Sequence, residues 1–343
     1  MVQRRTLLVG SIPGNTAREA MTEAMREVGP RLRYLPDGET GTRDRWVVGI
    51  INSFRDNPDM VVRREGDWSN YKQQLNFKVR RGRPFTGDSL NLGIQQAFEE
   101  NRALFDELRA GRDDLSFQIG IPGDFDLAMF TLGLPGALRH RKGFTSATVR
   151  EITAVHKAAG DDVLFQLELP AEMVFVAMTP GLGRKVVARR MAKLVRGLVS
   201  RAPSDARFGV HLCLGDLGHK ALGSMRDARP LVAMANAVTA AWPDGVRLEY
   251  VHGPLAAGDQ PPVLDPGFYR PLADLRLPET TRFVAGFLHE GRSIDEARQI
   301  LGVVESAYGG TVDVAAACGL GRRGHDNALA TMRQAAALCA DAG

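Results

Sequence analysis

Two cysteines and a histidine are the residues with the most chemistry to offer. His211 and Cys213 stand in VHLCLGD (210–216), and Cys318 stands in AACGLGRR (316–323). Strand side chains alternate with a period of two, so an H-x-C pair on a strand puts both side chains on one face. Two thiolates and an imidazole, joined by one carboxylate, make a tetrahedral donor set that suits zinc better than magnesium or calcium. Glu249 in VRLEY (246–250) is the candidate carboxylate, and His252, three residues on, is a substitute ligand. Zinc at such a site would lower the pKa of a substrate thiol and leave a nucleophile for alkyl transfer at neutral pH. Each residue also has an ordinary reading, since H-x-C arises by chance and a cysteine is commonly a small buried hydrophobe. Cys339, on the apolar stripe of AAALCADAG, is read that way.

The elements that must position these residues alternate along the whole chain. Apolar or β-branched runs predict strands at 5–12, 31–36, 115–121, 163–168, 208–213, 246–251, 283–288 and 311–316. Helical patterns fill 15–28, 43–55, 88–109, 145–159, 184–200, 224–240, 293–307 and 324–341. Eight such repeats predict an α/β fold, a single (β/α)8 TIM barrel over residues 1–343, and neither a P-loop nor a glycine-rich GxGxxG turn after the first strand is present to favour a doubly wound sheet. An inserted segment, about 56–87 between the second helix and the third strand, interrupts the alternation with a partly alternating pattern of its own, read as a hairpin, a lid or a loop on the barrel rim.

Barrel enzymes carry their chemistry at the C-terminal ends of the strands. Reactive residues gather at those positions here: Ser11, Glu39, Glu168, His211, Cys213, Glu249, His289 and Cys318 all lie at or just after an expected strand. Ser11 and Glu39 also sit in turn-forming contexts, SIPG and DGETG, where their types need no functional explanation.

Composition removes several function classes. Hydrophobic residues at 44% and charged residues at 24% exclude a disordered or fibrous chain. A formal net charge of +4 is too small an excess over 343 residues to indicate nucleic acid. The densest basic stretch, 183–197, interleaves its charges with apolar residues at helical spacing and reads as a solvated helix face. No run of about 18 apolar residues and no secretory leader is visible, so no membrane partner and a cytoplasmic location are expected.

In these motifs the sequence resembles the catalytic C-terminal barrel of the cobalamin-independent methionine synthases, within the superfamily shared with uroporphyrinogen decarboxylases. LLVGSIP (7–13), DGETGTRD (37–44), FQLELPAE (165–172), VHLCLGD, VRLEY, FLHEGRS (287–293) and AACGLGRR carry the resemblance in the expected order. It implies His211, Cys213, Glu249 and Cys318 as zinc ligands, Ser11, Glu39 and Glu168 as substrate contacts to an amino-acid thiol, and His289 as the acid that assists a departing methyl carrier. It further implies methyl transfer to homocysteine, giving methionine. The family's folate-stacking tryptophan corresponds to Ala128 here, and the family's N-terminal barrel has no counterpart, so a donor other than polyglutamyl methylfolate is expected, with methylcobalamin or a corrinoid protein as the candidate. Glu168 stands where the family has an aspartate, which leaves open a different small thiol. Decarboxylase or lyase chemistry of the related branch, and a barrel that merely stores zinc, are the competing expectations.

Overall fold

The computed structural model describes residues 3–45, 47–82 and 84–340. Trp46, Arg83 and residues 341–343, which belong to the expected second helix, the insertion and the end of the last helix, lie outside the described residues.

Ten strands are present among the described residues: β1 (Thr6–Leu7), β2 (Tyr34–Pro36), β3 (Met60–Arg64), β4 (Asn76–Val79), β5 (Ser116–Pro122), β6 (Val163–Glu168), β7 (Arg207–His211), β8 (Arg247–Pro254), β9 (Arg282–Leu288) and β10 (Asp313–Ala316). Eight of them form one parallel sheet in the order β1-β10-β9-β8-β7-β6-β5-β2. The two edge strands meet through parallel bridges Thr6 to Leu32 and Ser11 to Gly38, so the sheet comes round on itself as a barrel. The central barrel strands are largely buried on both faces, as strands covered by helices must be; all six residues of β6 are buried.

The helices are α1 (Ala17–Val28), α2 (Val47–Ser53), α3 (Ile94–Arg109), α4 (Asp124–Ala159), α5 (Pro170–Met178), α6 (Gly183–Val199), α7 (Arg229–Ala241), α8 (Ile294–Tyr308) and α9 (His325–Ala340). Two differ from expectation. The helix expected at 145–159 begins at Asp124, with a break at Gly133 (φ 71°, ψ 170°), and Pro135 restarts it where its missing N–H costs nothing. A further helix, α5, opens with Pro170 directly after β6, so the acidic-Pro-Ala motif is a strand end running straight into a helix. No described helix is long and apolar enough to cross a membrane.

The barrel interior is filled from the bottom by Leu7, Tyr34, Leu164, Tyr250, Val284 and Ala315. Tyr250 packs so tightly over Gly209 that a Cβ there would come within 2.1 Å of its ring. Above this layer Gln118 and Gln166 donate to the carbonyls of Leu8 and Val9, and the Tyr250 hydroxyl donates to Gln166 Oε1 at 2.8 Å. These polar groups end the apolar plug and floor the mouth. The insertion is an antiparallel hairpin of β3 and β4 whose connection reaches over the barrel. Its Trp68 is buried against Phe130, and the Tyr71 hydroxyl accepts the Leu217 N–H at 3.1 Å, next to the loop that leaves β7.

Candidate active site

His211 closes β7, Cys213 follows two residues later, and Cys318 lies just past β10. The three converge: the two sulfurs are 3.6 Å apart, and Cys318 Sγ is 3.9 Å from His211 Nε2. Donors around a tetrahedral zinc, at the usual bond lengths, stand roughly 3.5–3.8 Å from one another. The donor set and its spacing therefore fit zinc. Both cysteines are free thiols, and Cys213 also accepts the Gly215 N–H at 3.2 Å. Cys213 donates to Cys318, and this contact, ahead of burial, pushes Cys213 up while holding Cys318 below the ordinary thiol range.

The orientation of His211 is set by a chain of hydrogen bonds. Ala316 O can only accept, so His252 Nε2, 3.0 Å away, donates to it. A neutral His252 then presents Nδ1 as an acceptor, and His211 Nδ1, 2.7 Å away, donates to it. That leaves the lone pair of His211 on Nε2, aimed at the thiols. Both rings are held neutral: burial, then the neighbouring His252, drives His211 well below the usual imidazole range, and burial takes His252 down to about 4. Such an outer partner is what a metal-ligating histidine ordinarily has.

Glu249 is placed elsewhere. Within β8, Tyr250 and His252 face the interior, and His252 is the residue level with His211 in β7. Glu249 lies near the strand's beginning, at the opposite end of the barrel, where Arg207 Nε donates to it at 2.9 Å and the Tyr34 hydroxyl at 3.2 Å. The structure does not bring it together with the other three expected ligands. A register shift between Phe208 and Gly209 sets the offset of β7 and β8, and nothing in VRLEYVHG reveals it. Among the described residues the cluster is His211, Cys213 and Cys318, which leaves a fourth position for another group.

The expected substrate contacts do come to the mouth. Glu168 ends β6, level with His211. Glu39 follows β2 in a left-handed conformation (φ 48°) that side chains seldom adopt. Asp37 holds it there by accepting the Glu39 N–H at 2.9 Å, while Arg43 and Asn101 hold Asp37. The carboxyls of Glu39 and Glu168 close on the same glycine: a Cβ at Gly120 would lie 2.9 Å from one and 3.1 Å from the other. Burial, then Asp37, pushes Glu39 up to about 7, and burial, then Glu39, carries Glu168 well above the carboxylate range. Two buried carboxyls repelling each other form a site for a cation such as an ammonium. Ser11 lies under the loop after β10, where Leu320 N–H and Gly321 N–H donate to its carbonyl.

His289 is at the mouth with both ring nitrogens engaged, Nε2 donating to Gly258 O at 3.1 Å and Nδ1 accepting Gly291 N–H at 2.9 Å. A second cluster adjoins it: His219, also left-handed (φ 62°), bonds Glu290, which Arg323 also holds. Asp216, in the same VHLCLGD motif as the ligands, is buried with neither carboxylate oxygen hydrogen-bonded. Asp216 and Arg322 stand inside VHLCLGD and AACGLGRR, and nothing in the spacing of either motif marks them. Tyr71, in the insertion, had no signal at all. Cavities of about 480 Å³ and about 1040 Å³ flank the mouth, and Glu39 lines both.

Comparison with protein-family models and with curated protein sequences finds no match. Among solved structures, a B12-independent methionine synthase from Shewanella sp. W3-18-1, in complex with selenomethionine, is similar with a TM-score of 0.63 at 12% identity, over 99% of this chain and 98% of that one. A methyltransferase from Methanosarcina mazei is similar with a TM-score of 0.51 at 12% identity, over 99% and 94%. At this identity the likeness establishes the fold.

Proposed function

We propose that the chain is a zinc-dependent methyltransferase that activates a thiol, with His211, Cys213 and Cys318 holding the metal and homocysteine as the acceptor that becomes methionine. The observation that carries this reading is the meeting of two thiols and one tautomer-fixed imidazole beside a pair of like-charged carboxyls. Zinc bound there supplies the lowering of a thiol's pKa that makes it nucleophilic at neutral pH. Three protein donors with a fourth position left over is the arrangement of catalytic rather than structural zinc.

The chain's own residues account for the rest of the reading. Glu39 and Glu168 take the ammonium of the substrate, and Ser11 lies beside them, so the substrate thiol is delivered toward Cys213 and Cys318 in a fixed direction. Holding acceptor and donor in line supplies much of the acceleration in a displacement at a methyl carbon. The insertion, with Tyr71 beside Cys213 and Cys318, restricts water there. The solved relatives named above are a methionine synthase and a methyltransferase, which supports methyl transfer as the reaction class. Ala128 is fully buried in α4 and offers no stacking surface, so the donor proposed is methylcobalamin or a corrinoid protein rather than methylfolate. A corrinoid donor needs no protonation on departure, which agrees with a His289 whose nitrogens are both engaged. A cytoplasmic setting, where thiols stay reduced, suits these free cysteines.

The test is elemental analysis followed by product detection. Protein purified without chelator should carry one zinc per chain, and homocysteine with methylcobalamin should yield methionine. Absence of zinc sinks the proposal, whereas zinc with silence from both methylcobalamin and methyltetrahydrofolate removes methionine synthesis and keeps thiol alkylation.

A further inference from the structure

Charge is spread unevenly over this barrel. No acidic residue occurs between Asp126 and Glu151 or between Glu172 and Asp205, and these two stretches carry four and seven Lys and Arg respectively. The whole chain has a formal excess of only +4, so the rest of the molecule is net acidic. The fold lays the two stretches side by side, because α4, α5 and α6 pack against one another. Arg139, Lys142, Lys185, Arg189 and Lys193 are exposed on them. Among the described residues, the ion pair of Arg141 with Asp124 is the one that these cations make. Cations without partners sum to a positive field over the whole face.

The same helices also expose aliphatic side chains. Leu134 and Leu138 follow the break in α4, Met178 ends α5, and Leu182 and Val186 stand at the start of α6. They are five of the eight large hydrophobic side chains that the described residues expose, so the apolar surface is gathered where the cations are. Leu138 is 72% exposed, Met178 73% and Leu182 89%, which means that these side chains project from the surface. The buried stripe of α6 is Ala188, Ala192, Val195 and Leu198, and Val186 lies off it with the cations. Next to them a groove of about 880 Å³ is lined by Arg184, Lys185, Arg189 and Lys193 of α6 and by small side chains of α7 such as Ala233 and Ala237, with Asp274 the one carboxylate on its wall.

We propose that the face made by α4, α5 and α6 docks the barrel on an anionic membrane surface, with its aliphatic tips in the acyl boundary and its cations on the headgroup phosphates. Long Lys and Arg side chains stay level with the phosphates while neighbouring aliphatic groups pass below them, and each such cation adds attraction to an anionic leaflet. Other polyanions fit less well. Single-stranded nucleic acid is held by cations together with stacking aromatics, and no exposed residue of either stretch is aromatic. The core of a protein interface is depleted in lysine, whereas here lysines stand among the apolar tips. Contact of this kind needs neither a spanning helix nor a leader, the two features whose lack led to the expectation of no membrane partner. It requires nothing of the metal cluster or of the reaction proposed above.

Sedimentation of the full chain with vesicles tests the proposal. At physiological ionic strength, partition onto vesicles of phosphatidylcholine mixed with phosphatidylserine should exceed that onto phosphatidylcholine alone by at least about tenfold. Reversing two charges, Lys185→Glu with Arg189→Glu, should lower partition onto the anionic vesicles by more than about tenfold. Removing two tips, Met178→Ser with Leu182→Ser, should lower it by about three- to tenfold. These four side chains are exposed, and thermal melts matching the parent show that folding is intact. Failure of the parent to sediment with either vesicle, or equal partition onto both, overturns the proposal. So does a serine pair that binds as tightly as the parent while the glutamate pair is released: the cations would then answer any polyanion, and filter binding of polyuridylate against polyglutamate would identify a nucleic acid or an acidic protein as the partner. Zinc content should be the parent's in every variant, so this proposal and the zinc reading fail separately.

Discussion

The two ends of this barrel use the same residue types to opposite effect. At the bottom, charges are paired: Glu249 takes hydrogen bonds from Arg207 and Tyr34, Arg207 continues to Ser116 Oγ at 2.8 Å, and Arg282 is paired with Asp313. At the mouth, charges are left wanting. Asp216 is buried with neither carboxylate oxygen hydrogen-bonded, Glu39 and Glu168 face each other as like charges, and among the described residues no carboxylate lies within ion-pair distance of Arg322. Buried polar groups without partners cost stability, so an end of the molecule that keeps several of them keeps them for a ligand. Backbone strain follows the same division: two of the three non-glycine residues with positive φ among those described, Glu39 and His219, are at the mouth, and the third, Trp68, comes from the insertion that covers it.

Substitutions at the two ends should therefore separate metal and ligand binding from stability. The largest effect is expected for Cys318→Ser, which removes a thiolate from the cluster; zinc affinity measured by competition with a chelator should fall by more than about a hundredfold, with little change in the melting temperature of the metal-free chain. His252→Gln disturbs the partner of His211 and not a ligand, so its loss in zinc affinity should be about 10–100-fold. An undiminished affinity would show that the His211 tautomer needs no fixing. At the bottom, Gly209→Ala drives a methyl into the Tyr250 ring and should cost on the order of 1–3 kcal/mol or more in denaturant unfolding, while zinc content per folded chain stays at the parent's level.

A pH profile sharpens the comparison further. Burial, then Asp37, pushes Glu39 up to about 7, and an ammonium favours its charged form. Its ionised fraction rises from about a tenth at pH 6 to about nine tenths at pH 8, so methionine affinity should rise roughly tenfold across that window and then level off. In Glu39→Gln this step should be lost, and the pH dependence that is left should be that of Glu168, which burial alone still raises. The smallest effect belongs to Glu249→Gln, which weakens the Arg207 contact at the far end by about 1 kcal/mol and should leave zinc binding unaltered. A loss of zinc in that variant would contradict the position of Glu249 in β8.

Much of this arrangement could be read from the chain. Alternating runs such as VLFQLE and FVAGFL, each buried on both faces, could only be strands of a covered parallel sheet, and they stand where they were expected. The H-x-C spacing placed His211 and Cys213 together, and Cys318 joined them because a barrel gathers its strand ends. Less legible were features that depend on local breaks. The start of α4 at Asp124 lies well before the helix expected at 145–159, because Gly133 and Pro135 interrupt the helical pattern, although in the fold they make a kink within one continuous helical stretch. The reach of Tyr71 to Leu217 joins residues 146 apart in the chain, through a hairpin whose direction no local pattern encodes.

The sequence by itself determined which elements form and which side chains each strand delivers to its end, because hydrophobic period and turn residues are local properties. Tertiary structure decided which end and which level each side chain occupies. Glu249 and His252 sit three residues apart on one strand, so the parity of the strand turns them to different sides and the register of β8 against β7 puts only His252 beside His211. Register is a relation between two strands, set by the bulge at Phe208 and Gly209 and by the Tyr250 ring packed over Gly209. No stretch of one strand carries that information, and this is why His252, and not the expected Glu249, stands beside His211, as its hydrogen-bond partner.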